Sequence, residues 1–124
     1  MTWYGVGFLC RIDGTLNSEL YQSILKEELI KTLKWYNLEK SDIIFQQDNS
    51  PVHTSKSTQE WIQKNNLTIF QWPAQSPDMN PIEHLWNELK RRVKNSSNSI
   101  TSVQSLWDIY KRNGKKFQRN FVKN

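Results

Sequence analysis

One cysteine in 124 residues leaves Cys10 with nothing to pair with inside the chain. An internal disulfide and a cysteine-based zinc site are both excluded, and Cys10 is given no role. Long apolar runs are also missing: the longest, near Trp3 to Cys10, falls well short of the roughly 18 residues that a membrane span needs. No basic leader with a small-residue cleavage site precedes it, so neither export nor membrane residence is expected. Histidine is scarce. His53 and His84 stand singly near expected helix starts and read as capping or packing groups rather than metal ligands. Acidic residues thin out towards the C-terminus. Residues 1–83 hold seven Lys/Arg against ten Asp/Glu, a net charge of -3, whereas residues 84–124 hold ten against two, a net +8.

What is present suffices for a fold. Hydrophobic residues make up 36 % and aromatics 12 %, with six tryptophans, so the chain is not compositionally disordered despite a mean hydropathy of -0.76. Its length allows one domain, burying about two thirds of the surface that the unfolded chain exposes. The basic last third, interleaved with Trp107, Tyr110, Phe117 and Phe121, suits a polyanion, because each Lys or Arg set on a phosphate releases a condensed counterion. It reads equally as a solvated, lysine-rich helix face.

Gly5 to Ile12 has strand character and is closed by the turn signal Asp13-Gly14. Leu20, Tyr21, Ile24, Leu25, Leu29, Leu33 and Tyr36 recur at helical spacing after Asn17-Ser18, either of which can cap the first turn. Ile43-Ile44-Phe45 has strand length and predicts a strand buried on both faces. Thr54 or Ser55 can cap a helix carrying Trp61 and Ile62 and ending near Asn65-Asn66, and Leu67 to Phe70 predicts another strand. This alternation argues for an α/β layer with parallel pairing in its later part. Three prolines in "WPAQSPDMNP" then impose an ordered loop or a corner. Asn80-Pro81 opens a helix whose apolar stripe is Ile82, Leu85, Trp86, Leu89 and Val93, leaving Glu83, Asn87 and Lys90 off the stripe. A polar linker over residues 95–99 precedes a last helix with Val103, Leu106, Trp107 and Tyr110 on one face, expected to stop at Gly114.

Asp48 falls at the C-terminal end of an expected parallel strand, where open α/β sheets place their ligand chemistry. Taken alone it reads as an Asx-turn or a cap before Pro51. Glu83, three residues after Asn80, completes a capping box. The longer stretches "QQDNSPVH" and "WPAQSPDMNPIEHLWNELKRRV" add context. Together they resemble the catalytic domain of Tc1/mariner transposases, with its D-N-x-P-x-H stretch and its P-x-x-S-P-D-x-N-P-I-E-x-x-W stretch. Thirty-four residues lie between Asp48 and Glu83, the spacing of the Tc1 type with glutamate third. "IDGTLNSELY" is similar to the family's strand, turn and helix upstream of the second acidic residue, so the resemblance covers nearly the whole chain.

The resemblance implies an α/β, RNase H-like mixed sheet flanked by helices, with residues 1–94 as a partial catalytic domain and 95–124 as its basic helical extension. It implies two Mg²⁺ or Mn²⁺ ions about 4 Å apart, held by carboxylates, for DNA cleavage and strand transfer. Asp48 and Glu83 would be the catalytic and metal-binding residues. Asn49, Pro51 and His53 would shape the loop around Asp48, and Ser76, Pro77, Asp78, Asn80 and Pro81 would fix the entry of the helix carrying Glu83, Asp78 being structural. The implied partner is DNA and the implied location is the nucleus.

The family's first aspartate, on the first strand of the fold, has no counterpart in the 124 residues. Asp13 matches a later strand, and Asp42, read as starting the strand that leads to Asp48, would lie roughly 20 Å from it at about 3.3 Å per residue. Metal binding is therefore expected to be weak or absent, and DNA cleavage by this chain alone little or none. Backbone groups left unpaired by a missing strand would cost about 1 to 3 kcal/mol each and open an edge for self-association. The alternative to a catalytic fragment is a non-catalytic DNA-binding module using Lys90, Arg91, Arg92, Lys94, Lys111, Arg112, Lys115, Lys116 and Arg119 on phosphates. A third possibility is an active enzyme whose strand comes from another chain or an upstream exon.

Overall fold

The computed structural model of the chain describes residues 2, 4–70, 81–96 and 100–121, with side chains as far as residue 115. They fall into two compact units, Ile12–Ala74 and Met1–Arg11 with Gln75–Asn124.

In the unit Ile12–Ala74, Gly14 takes the positive φ of +83° that the Asp13-Gly14 turn requires. Asn17 then caps the first helix: its Oδ1 accepts the Leu20 amide at 2.8 Å, satisfying one of the donors that a helix start leaves exposed. Helix α1 (Ser18–Ile24) runs through a π turn, Leu25–Leu29, into α2 (Ile30–Trp35). The expected helix is present, but the π turn is new, because a 3.6-residue period assumes i→i+4 bonding throughout. Tyr21, Leu25, Thr32 and Leu33 are buried. The Thr32 hydroxyl donates to the Glu28 carbonyl at 2.8 Å, which permits its burial.

A 3₁₀ turn, Lys40–Asp42, precedes β1 (Ile44–Phe45). After β1 come α3 (Pro51–Thr54), α4 (Lys56–Lys64) and β2 (Thr68–Ile69). The strands are parallel, with Ile44 opposite Thr68 and Phe45 opposite Ile69, and the Phe70 amide donates to the Phe45 carbonyl at 2.8 Å. This is the parallel strand–helix–strand unit that the alternation implied. Two expectations are corrected. Asp42 does not start the strand; its Oδ2 accepts the Glu39 amide at 2.8 Å and closes a capping box around the 3₁₀ turn. Nor is β1 buried on both faces: Ile44 is 65 % exposed, so the face it points from is left uncovered.

Helices α2 and α4 close identically. Asn37 and Asn66 sit at φ of 52° and 53°, the left-handed region that asparagine tolerates. Leu38 and Asn37 donate to the Leu33 and Lys34 carbonyls, and Leu67 and Asn66 to those of Ile62 and Gln63, which is the paired bonding of a Schellman motif. Between α3 and α4, Ser55 caps α4 by accepting the Thr58 amide at 3.3 Å. Thr58 is 0 % exposed, and hydroxyls run in a chain from Ser18 to Ser55 (2.9 Å), from Ser55 to Thr58 (2.9 Å) and from Thr58 to the Val52 carbonyl (2.8 Å). The single-turn helix α3, too short to hold itself, is thereby tied to the starts of α1 and α4.

In the other unit, Thr2 and Gly5 pair in one antiparallel bridge, with Gly5 at φ +144°. Residues 6–12 form no strand, contrary to expectation. Val6, Phe8 and Leu9 serve as packing surface, lining a hollow of about 70 Å³ with Ile82, Leu85, Trp86 and Leu89. Helix α5 (Pro81–Asn95) carries the stripe read from the sequence, with Leu89 and Val93 buried and Ile82, Leu85 and Trp86 half-buried. Helix α6 (Val103–Phe121) packs on it. Gly114 does not end α6, because a glycine stops a helix only where the backbone turns left-handed; in mid-helix it merely costs about 1 kcal/mol. The packed face also differs: Val103 is 68 % exposed, while Ile109 and Asn113 are buried. Asn113 is polar and so stands outside the apolar face, yet its Nδ2 donates to the Ile109 carbonyl at 3.0 Å, which offsets part of the cost of its burial. The expected linker begins after Asn95, and residues 97–99 lie outside the described ones.

Candidate active site

Asp48 stands three residues past β1, in the loop that leaves the strand's C-terminal end. Its Oδ1 accepts the Ser50 amide at 3.0 Å, the Asx-turn that the sequence allowed, and meets His53 Nδ1 at 2.6 Å. Pro51 starts α3, and that one turn brings His53 back over the carboxylate. Burial on its own would push the Asp48 carboxyl up; the Ser50 amide and the His53 ring outweigh it and hold the group below its ordinary value. An ionised carboxylate only accepts, so Nδ1 is the donor in this contact. Asp48 is 66 % exposed, and its contacts with the Ser50 amide and the His53 ring both fall on Oδ1. Asn49 is exposed beside it.

Two residues that the sequence reading passed over complete this corner. Tyr21, buried on α1, donates to Gln47 Oε1 at 2.7 Å, and its ring lies 4.3 Å from the His53 ring at 35°. Gln47 Nε2 donates to the His53 carbonyl at 3.1 Å. Burial, and then the charge of Asp48, push the Tyr21 hydroxyl above its ordinary value, so it remains a neutral donor. A signal was available: a tyrosine in an aliphatic helix stripe needs a partner for its hydroxyl.

Glu83 lies in the exposed first turn of α5, two residues after Pro81. Carboxylates there are favoured by the unpaired amides of a helix start. Asn87, Lys90 and Lys94 follow at i+4, i+7 and i+11, so they share the solvent face of Glu83. Ser76, Pro77, Asp78 and Asn80 lie outside the described residues, and with them the proposed capping box.

Of the basic residues, Lys90, Lys94, Arg112 and Lys115 are exposed and make no ion pair among the described residues. Arg91 and Arg92 instead converge on Glu88: Arg91 Nε and Nη2 at 2.7 and 2.8 Å, Arg92 Nε at 2.7 Å. These bonds, Arg91's first, pull the Glu88 carboxyl down to about 2. Lys111 pairs with Asp108 at 3.3 Å and lies 5.7 Å from the Trp107 ring centre. Lys116 and Arg119 fall in the part of α6 described by backbone alone.

Among the described residues, no three His, Cys, Asp or Glu side chains cluster to hold one ion. The donors that are present still suit a hard divalent cation: Asp48 and Glu83 are both exposed and both offer carboxylate oxygens.

A parallel strand pair, an aspartate in the loop beyond the first strand and a glutamate opening a later helix belong to a recognisable class. The family model of the DDE superfamily endonucleases matches residues 3–107. The chain is 39 % identical over 107 residues to the Tcb1 transposase of Caenorhabditis briggsae, covering 82 % of this chain and 38 % of that one. It is 40 % identical over 95 residues to the Tc3 transposase of Caenorhabditis elegans, covering 77 % and 28 %. It thus spans well under half the length of these curated relatives. The structure of the Mos1 transposase catalytic domain with Raltegravir and Mg is similar in fold, with a TM-score of 0.62 at 23 % identity over 89 % of this chain and 62 % of that one. The crystal structure of the catalytic domain of Mos1 mariner transposase matches equally well, at a TM-score of 0.62. The fold is therefore the RNase H-like one. The chain belongs to the DDE superfamily endonucleases, within their Tc1/mariner transposase branch.

Proposed function

We propose that this chain supplies part of the catalytic core of a nuclear DNA transposase, with Asp48 and Glu83 as ligands of the divalent ions that drive phosphoryl transfer. Bound Mg²⁺ or Mn²⁺ would supply charge neutralisation on phosphate oxygens and activation of an attacking hydroxyl. The residues' own part is narrower. Asp48 offers Oδ2 while Oδ1 is held by the Ser50 amide and His53, and Glu83 offers a carboxylate on the exposed opening turn of a helix. Lys90 and Lys94, in line with Glu83 on α5, would take the phosphates of the DNA strand being cut. The observation that carries the reading is the ionised, half-committed Asp48 in a chain that belongs to this family.

Residues 1–94 act as the catalytic part and residues 95–124 as its basic extension, whose helix α6 packs on α5, the helix that carries Glu83. A polypeptide of these 124 residues carries two of the three acidic positions that the family resemblance implies. Its metal binding is expected to be weak and its DNA cleavage slight. Self-association would run through the edge of β1 away from β2, which pairs with no strand among the described residues. The second reading, a DNA-binding module without chemistry, draws on the exposed Lys90, Lys94, Arg112 and Lys115.

The test is Mn²⁺-induced broadening of amide signals in the full chain, which senses weak occupancy. Broadening should centre on residues 48–50 and 83–84, vanish from the first group in Asp48→Asn and weaken at the second in Glu83→Gln. Broadening spread evenly over other exposed acids such as Glu19 and Glu27 would overturn the metal assignment. Retained, steeply salt-dependent DNA binding would then leave the module reading standing.

A further inference from the structure

We propose that Tyr21 and Gln47 are positioning residues of the Asp48 site: they fix the His53 ring so that Nδ1 donates to Asp48 Oδ1 and Oδ2 is the oxygen presented to a divalent cation. The inference rests on the reading of Asp48 as a metal ligand and adds two residues outside the D-N-x-P-x-H stretch, one of them 27 positions upstream.

The restraint has three points. The His53 ring is held on one face by Tyr21, at 4.3 Å between ring centres. Its backbone is held through Gln47 Nε2, which donates to the His53 carbonyl at 3.1 Å. Gln47 is held in turn by the Tyr21 hydroxyl at 2.7 Å. A glutamine amide whose oxygen accepts from one side and whose nitrogen donates to the other cannot flip without breaking both bonds, so the network has one orientation. Tyr21 sits on a long helix and is buried, whereas Asp48 and α3 belong to a loop and a single turn. Rigidity therefore passes from α1 to the carboxylate, as supporting residues do for metal ligands elsewhere.

Two variants of the full chain separate this from simple core packing. Tyr21→Phe keeps the ring and removes the hydroxyl; Gln47→Leu keeps the bulk and removes both amide bonds. The first readout needs no metal: ¹⁵N signals of the His53 ring at about pH 8.5, two units above an ordinary imidazole, report which nitrogen carries the proton. The wild type should show the Nδ1–H form, and both variants a mixture of the two forms. The second readout is Mn²⁺ broadening at residues 48–50, which should need about tenfold more Mn²⁺ in each variant. Unchanged His53 signals and unchanged Mn²⁺ dependence in both variants would overturn the proposal. Should Gln47→Leu fail to fold, Tyr21→Phe decides alone. Absence of Mn²⁺ broadening at residues 48–50 in the wild type would sink the underlying metal reading instead, and the His53 ring signals would still decide whether Tyr21 and Gln47 set the tautomer.

Discussion

The hydroxyl of Thr58 is the most enclosed polar group described in the chain, and its removal gives a sharp test of how α3 is held. Thr58→Val keeps the side-chain shape and deletes a donor to the Val52 carbonyl at 2.8 Å and an acceptor for Ser55 at 2.9 Å. Each such bond contributes about 1 kcal/mol net. Part is recovered, because Ser55 Oγ already stands 3.4 Å from the same Val52 carbonyl and can turn to it. The expected cost is about 1 to 2 kcal/mol. Ser55→Ala removes the same hydroxyl bond together with the α4 cap and should cost about 2 kcal/mol. The bond between the two side chains is lost in either single variant, so the double variant should be more stable than additivity predicts by about 0.5 to 1 kcal/mol. Urea denaturation followed by tryptophan fluorescence, with Trp61 on α4 as a reporter, measures all three. Additive costs, within about 0.3 kcal/mol, would refute the hydroxyl chain as the tether of α3. Amide exchange at His53 and Thr54, whose amides both donate to the Ser50 carbonyl, should quicken in Thr58→Val if the tether is real.

Leu89, 2 % exposed on α5, should cost about 2 to 5 kcal/mol when cut to alanine; a loss below about 1 kcal/mol in urea unfolding would mean that α5 and α6 do not pack through it. Glu88 should titrate near 2 by carbon NMR. Its folded value is depressed, so its contribution to stability is complete above the ordinary carboxylate range and lost as pH falls from about 4.5 towards 2, and Arg91→Gln with Arg92→Gln should return it upward. Glu88→Gln should release the Arg91 guanidinium, which Glu88 holds through two bonds, and steepen the salt dependence of duplex DNA binding by up to about one counterion; an unchanged slope would exclude Arg91 from the contact. At the left-handed Asn66, glycine should be neutral or stabilising by up to about 1 kcal/mol and valine destabilising by about 1 to 2 kcal/mol, a ranking that thermal melts would reverse if the Schellman geometry were wrong.

What was legible in the sequence was whatever depends on neighbours along the chain. Asn17 as a cap, Pro81 at a helix start, the Leu89–Val93 stripe and the turn glycine at position 14 all follow from local rules, and each is found. The misread parts depend on partners far along the chain. Residues 6–12 look like a strand but form none, and Val6, Phe8 and Leu9 line a hollow together with side chains of α5. Gly114 looks like a stop, but α6 runs on through it to Phe121. Asp48 and His53 stand in one motif, and the structure joins them at 2.6 Å. Tyr21 and Gln47 were not legible, because their roles exist only once α1 is laid beside the loop.

The π turn at Leu25–Leu29 has a consequence for how this helix tolerates length changes. An i→i+5 loop holds one residue more than an α turn, so deleting one residue there would regularise the backbone while leaving Tyr21 and Leu33 on the side they now occupy. The same deletion a turn earlier or later would rotate one of them by about 100° out of the core. Length variation among close relatives of this chain should accordingly collect at that one stretch, where the helix keeps a spare residue.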